Sequence, residues 1–175
     1  MVVVEWTAAQ YTRPDEPFAG DERATLDGFL DRYRASLLVK CAGLTGAQLA
    51  ERAVPPSNLS LLGLVRHMTD VERNWFRRRF AGERIENAYA RDERPDAAFE
   101  EAAGEFAARD MARLVAEQGA ARNAVAGLPL ATIFASERWG EMSLRWCYSH
   151  MIAEYAGHCG HADLIRERID GKTGL

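Results

Sequence analysis

Residues 143–171, "SLRWCYSHMIAEYAGHCGHADLIRERIDG", carry apolar side chains at steps of three and four residues, the pattern of an amphipathic helix. Ser143 is a residue type that caps helix N-termini, and Gly171 is the type that ends helices in a left-handed conformation. The pattern therefore predicts a helix that is capped by Ser143 and runs to about Asp170. Glycines and histidines in the interior of this helix are unusual choices that need a reason.

A helical wheel, advanced by about 100° per residue, places the apolar side chains of this segment on one face. Glu154 and His158 project into or beside that face, one turn apart, so their side chains can reach a common point. His150 and His161 lie just outside it. The apolar face itself consists of Leu144, Cys147, Met151, Tyr155, Ala162, Ile165 and Ile169.

An ionised carboxylate at a core-facing position is costly unless something compensates for its lost hydration. Three arrangements would satisfy Glu154: a buried arginine partner, protonation, or a bound metal ion. Carboxylate and neutral imidazole are ligand types of zinc, nickel and iron(II). Two ligands four residues apart on one helix would need a third from elsewhere in the chain.

The one histidine outside this helix is His67, in "LLGLVRHMTDVERNWF", residues 61–76. Ser60 is the predicted N-cap of a second long helix that runs from residue 61 to about residue 80. On its wheel His67 borders the apolar face, as expected for a ligand that enters the core. Alternatively, His67 is a partly buried histidine satisfied by a single hydrogen bond.

Two further helical regions and one extended connection complete the predicted elements. Residues 23–43 have one apolar face, and a short helix opens at Thr45. Pro95 leads into a long helical stretch that contains two potential breaks, Gly104 and Gly119. Residues 128–142 lack a helical face and predict an extended connection with a short β-hairpin.

These elements predict a single all-α domain over residues 1–175, a four-helix bundle with a short extended connection before the last helix. The net charge is −4 and no basic stripe is present, which argues against a nucleic-acid partner. Without a basic leader or an apolar stretch of membrane-spanning length, we expect a cytoplasmic protein that does not bind membranes. Three cysteines without a CxxC pair predict small buried side chains rather than nucleophiles: Cys41, Cys147 and Cys159.

The segment "LVRHMTDVERNWFRRRFAGE", residues 64–83, and residues 143–171 resemble the two signature segments of the DinB/YfiT-like metalloprotein superfamily. The resemblance is to its actinobacterial mini-circle-protein-like branch. It implies a bundle of up-down-down-up order with a divalent metal held by one histidine of the second helix and two residues of the fourth. Many members use His-x-x-x-His on the fourth helix, and the mycothiol-dependent isomerase branch uses Glu-x-x-x-His. The match assigns His67, Glu154 and His158 as the metal ligands.

This chain departs from many relatives at "HCGH", residues 158–161, where they have His-Arg-Gly-Gln. His161 therefore replaces a glutamine. It could be a fourth ligand, a proton carrier, or a hydrogen-bond partner of a ligand.

The resemblance also implies a low-molecular-weight thiol as cosubstrate, mycothiol or bacillithiol, and a homodimer. All but two of the 22 basic residues are arginine, a bias typical of GC-rich actinobacterial genomes, which favours mycothiol. The leading hypothesis is a metal-dependent thiol S-transferase acting on small electrophiles, with His161 or His150 moving protons. Zinc is the first choice of metal, and nickel and iron(II) also fit. The alternatives are a metal-hydroxide hydrolase of a small amide or ester and a non-catalytic metal-binding stress protein.

Other side chains have two interpretations. Glu72 falls in the middle of an apolar arc, where a buried pair with an arginine is favoured over a catalytic acid. Trp75, Trp139 and Trp146 could line a substrate pocket or pack in the core. The basic run "RNWFRRRF", residues 73–80, predicts a solvated helix edge that could attract an anionic substrate. Arg166 receives no role.

Overall fold

Helices dominate the computed structural model, which describes residues 5–173. A π-helical segment, Arg73–Phe80, continues α3, and a 3-10 turn, Gly104–Phe106, precedes α5. A two-stranded antiparallel hairpin connects α5 to α6. The helices are α1 Glu22–Cys41, α2 Gly46–Ala50, α3 Leu61–Glu72, α4 Ala97–Glu100, α5 Ala107–Val125 and α6 Leu144–Asp170, and the strands are β1 Ile133–Ser136 and β2 Gly140–Ser143.

The predicted caps define the two helices that carry the candidate ligands. The Ser60 hydroxyl accepts a hydrogen bond from the Gly63 amide at 3.0 Å, and the Ser143 hydroxyl accepts one from the Trp146 amide at 3.2 Å. Gly171 ends α6 with a φ of 76°, in the left-handed region. Both helices therefore begin where the sequence predicts. The apolar residues assigned to their inward faces do face the core.

The long helices pack around one apolar core. Helix α6 lies along α1 and also contacts α3, while α3 packs on α5. This packing confirms the predicted mainly helical architecture, and the up-down-down-up order stays a prediction. Side chains at the centre of the core include Leu37, Leu64, Met68, Leu114, Met151 and Tyr155. Among the described residues, no helix combines the length and apolarity needed to cross a bilayer.

The helical stretch predicted after Pro95 is divided at Gly104 and continuous at Gly119. A Cβ on Gly104 would lie 2.7 Å from the carbonyl carbon of Gly46, so the close approach of two backbones requires glycine there. Gly119 lies within α5, and a Cβ there would meet no neighbouring atom within 4 Å. The prediction of a break at Gly119 was wrong, because a single glycine weakens a helix without ending it.

The second long helix changes its winding at Arg73. At its end, the Ala81 amide donates to the Phe76 carbonyl at 3.0 Å, a step of five residues instead of four. Trp75 and Phe76 are buried in this segment. Because its turns are wider, the later side chains of this helix point in different directions from those of an ideal α-helix. The sequence pattern alone had predicted one uniform helix here.

Two buried arginines connect α1 to the other long helices. Arg34 Nε and Nη2 each donate to the Glu72 carboxylate at 2.7 Å, and the Tyr155 hydroxyl donates to Glu72 Oε1 at 2.8 Å. The buried arginine pair predicted for Glu72 is confirmed. Arg166, given no role from the sequence, is buried and donates to the carbonyls of Lys40 and Ala42 at 2.8 and 2.9 Å, where α1 ends.

Candidate metal centre

Three predicted ligand residues converge at the contact between α3 and α6. His67, Glu154 and His158 each offer one ligand atom, and these atoms all lie within 4.8 Å of one another. His158 Nε2 lies 3.5 Å from Glu154 Oε2. The rings of His67 and His158 meet edge to face, with centroids 4.8 Å apart. The convergence follows from the packing of α3 on α6, since the three residues lie on or beside the inward faces.

The donor set of this cluster suits a divalent ion. Two imidazoles and one carboxylate fit zinc, nickel and iron(II). A tetrahedral ion with bonds of about 2.1 Å separates its ligands by about 3.4 Å. The observed 3.5 Å between His158 Nε2 and Glu154 Oε2 is close to that separation. The donor types therefore fit a divalent ion, and the Glu154–His158 pair has the separation of two ligands of one ion.

Burial keeps the histidines of the cluster in the form that binds metals. Loss of hydration, aided by the neighbouring His158, lowers the pKa of His67 to about 4. Burial also lowers the pKa of His158 below its usual value. Both rings are therefore neutral at pH 7, with a lone pair available. The Phe99 ring stacks on the His67 ring, with centroids 5.1 Å apart, and restricts the orientation of the imidazole.

The two histidines predicted to move protons each contact one residue of the cluster. His150 Nε2 lies 3.7 Å from Glu154 Oε1, and His161 Nδ1 lies 3.4 Å from His158 Nδ1. Neither belongs to the three-residue group whose atoms converge. Burial lowers the pKa of His150, so its ring is neutral near pH 7 and can accept a proton. Both assignments remain predictions.

The structure also reveals a cavity of about 640 Å³ beside the cluster. Trp139 and Trp146 are 52% and 43% exposed, whereas Trp75, whose ring contacts both of them, is buried. Trp75 packs in the core, as favoured from the sequence, and also lines the cavity, whereas Trp139 and Trp146 line the cavity with their rings half exposed. Glu141 and Met142 of the hairpin were not predicted, because a cavity lined by three elements leaves no local sequence signal. The lining residues are Trp75, Trp139, Glu141, Met142, Ser143, Trp146 and His150.

The basic run at residues 73–80 is only partly a solvated edge. Arg73 and Arg77 both pair with the buried Glu117, at 2.6 and 2.9 Å.

The three predicted cysteines are free and buried, as expected for packing residues.

The helical fold and the cluster of histidines and glutamate between its second and last long helices agree with the DinB/YfiT-like superfamily, in which a family-model match places the chain. Within that class, the chain belongs to the mycothiol S-transferase family, whose model matches residues 25–171. No curated protein and no solved structure matches the chain.

Proposed function

We propose that the protein is a metal-dependent S-transferase that joins mycothiol to small electrophiles. The observation that carries the proposal is the convergence of His67, Glu154 and His158 within 4.8 Å in a chain of the mycothiol S-transferase family. Zinc is the first candidate for the metal, with nickel and iron(II) as the other ions that this donor set accommodates.

A divalent ion held by three protein ligands keeps a coordination position for the thiol and lowers its pKa, so that thiolate is present near neutral pH. The chain's contribution is to present neutral imidazoles from two different helices. Phe99 stacks on the His67 ring and restricts its orientation. Fixed ligand orientation reduces the entropy that is lost on binding.

Transfer also needs a path for the proton that the thiol loses. His150 lies next to Glu154 and is partly exposed, so its ring can take the proton and release it to water. The exposed His161 offers the same path on the other side of His158. The sulfur then forms a bond to the electrophilic carbon, and the leaving group departs with the bonding electron pair.

Metal analysis and activity together test the proposal. Purified protein should contain stoichiometric metal and conjugate mycothiol to at least one member of a panel of electrophiles. Turnover that needs no thiol would point instead to a hydrolase. Metal whose removal unfolds the protein, with no turnover of any substrate, would point to a metal-binding protein without catalysis. Light scattering would test the predicted homodimer.

A further inference from the structure

Three tryptophans from three separate elements meet at the mouth of one cavity. Trp75 comes from the π-helical segment, Trp139 from the turn between β1 and β2, and Trp146 from the first turn of α6. Ring centroids are 6.4 Å apart for Trp75 and Trp139, and 5.4 Å apart for Trp75 and Trp146. Two indoles left about half exposed around a cavity of about 640 Å³ are typical of a small-molecule site.

This tryptophan pocket, defined by Trp75, Trp139 and Trp146, adjoins the candidate metal centre through one side chain. His150 lines the pocket and stacks on Trp146, with centroids 4.9 Å apart and ring planes inclined by 6°. The same imidazole lies 3.7 Å from Glu154 through Nε2. A molecule in the pocket is therefore separated from Glu154, a candidate metal ligand, by the single side chain of His150.

The charges around the pocket indicate which ligands it favours. The guanidinium of Arg79 lies 4.2 Å from the Trp75 ring centroid, and that of Arg138 lies 5.0 Å from the Trp139 centroid. Two cations already lie on the indoles, so a cationic ligand would meet repulsion rather than an empty aromatic cage. Among the residues that line the pocket, Glu141 is the one acid. Neutral aromatic rings that carry electron-withdrawing groups, such as nitro groups, suit this surface best.

The electron deficiency of such a ring favours both its binding in the pocket and its reaction with a thiolate. Indole faces are electron-rich, so they stack favourably with rings made electron-poor by nitro groups. Thiolates attack those rings most readily when the ring also carries a leaving group. In that substitution the S–C bond forms, the carbon–halogen bond breaks, and the halide leaves with the electron pair, so no further reactant is needed.

We infer that the tryptophan pocket binds the electrophilic substrate and selects flat, neutral, electron-poor aromatic compounds that carry a leaving group. The inference rests on the proposed function for the reaction, whereas the ligand class rests on the pocket alone.

The first measurement is binding, with no thiol and no turnover. Calorimetry with dinitrobenzene, which has no leaving group, should detect binding to the purified protein, and the Trp139→Ala variant should bind about tenfold more weakly. Trp6, 39% exposed and outside the pocket, supplies the matched control: Trp6→Ala should bind as the unmodified protein does. Cyclohexanone, a saturated ring, should bind more weakly than dinitrobenzene. Equal binding of dinitrobenzene by all three proteins would overturn the inference.

The second measurement is the specificity of transfer. For the Trp139→Ala variant, the ratio of kcat/KM for chlorodinitrobenzene to kcat/KM for chloroacetamide should fall about tenfold. An unchanged ratio, in protein that conjugates both compounds, would overturn the pocket as the electrophile site and leave the proposed function standing. Binding of dinitrobenzene that depends on Trp139, without transfer to any electrophile, would overturn the reaction and support the ligand class. Circular dichroism checks that each variant is folded.

Discussion

His150 lies flat against Trp146, with the two ring planes inclined by only 6° and their centroids 4.9 Å apart. Its Nε2 faces Glu154 Oε1 at 3.7 Å. One imidazole thus contacts both the tryptophan pocket and the candidate metal centre. In the proposed reaction, this position connects binding of the electrophile to movement of the proton through a single side chain.

Replacement of a predicted ligand should remove the metal. We expect Glu154→Gln and His158→Ala to weaken metal binding by about 100-fold or more, since loss of even a supporting residue around a metal typically costs 10- to 100-fold. Elemental analysis of the purified proteins measures this. Glu167→Gln changes an exposed carboxylate on the same helix and should retain full metal content. Equal metal in all of these variants would contradict the assignment.

Replacement of His150 should slow transfer without releasing the metal. We expect His150→Gln to lower kcat by about 100-fold, the typical contribution of a positioned general base. Steady-state kinetics and metal analysis on the same sample separate the two effects. The parallel variant His161→Gln tests the roles left open for that residue: loss of metal indicates a ligand or a hydrogen-bond partner of a ligand, and loss of rate alone indicates a proton carrier.

Loss of the buried carboxylate of Glu72 should destabilise the fold strongly. The Glu72→Gln variant removes the buried counter-ion of Arg34 and leaves it only the partly exposed Asp31, a change that typically costs about 3–5 kcal/mol. Tyr155→Phe removes the hydrogen bond to Glu72 and the one that the hydroxyl accepts from Gln118 Nε2, and should cost about 1–3 kcal/mol. Urea unfolding gives both values. Glu22→Gln, at an exposed ion pair with Arg145, is the control and should have little effect. Similar losses for Glu72→Gln and Glu22→Gln would show that burial of the pair is unimportant.

The metal-free protein should become less stable as the pH falls from about 6.5 to about 4. The pKa of His67 is about 4 in the folded protein and near its ordinary 6.5 when unfolded, so acid protonates the unfolded chain first. The contribution of His67 is complete above pH 6.5 and is lost as the pH approaches 4, up to about 3 kcal/mol. Unfolding of metal-free protein at pH 7 and pH 4.5 should show a smaller difference for His67→Gln. The same difference in His67→Gln and in the unmodified protein would contradict this role of His67.

The sequence was most informative where a local rule determines the structure. Ser60, Ser143 and Gly171 set helix ends through their own backbone and side-chain chemistry, so their roles could be predicted one residue at a time. The convergence of His67 with Glu154 and His158 followed from two helical faces that had to meet in one core. The helical period placed these three residues on or beside the apolar faces, and the family resemblance assigned them together as ligands.

The predictions failed or remained open where the structure departs from that period or depends on distant residues. The π-helical segment breaks the constant angular step on which a helical wheel depends. Arg166 is satisfied by carbonyls more than 120 residues away in the chain, and no local pattern reports such a contact. The tryptophan pocket likewise exists only after the hairpin has packed against α6.

The π-helical segment also separates the candidate metal ligand of its helix from the residues of that helix at the tryptophan pocket, so the two could evolve at different rates. His67 precedes the wider turn, whereas Trp75 and Arg79 follow its start. Deletion of one residue within Arg73–Phe80 would change the direction of the side chains that follow within this helix and leave His67 in place. A lineage could therefore exchange its acceptor compounds by short insertions and deletions here, while the chemistry inherited from its ancestors continued unaltered.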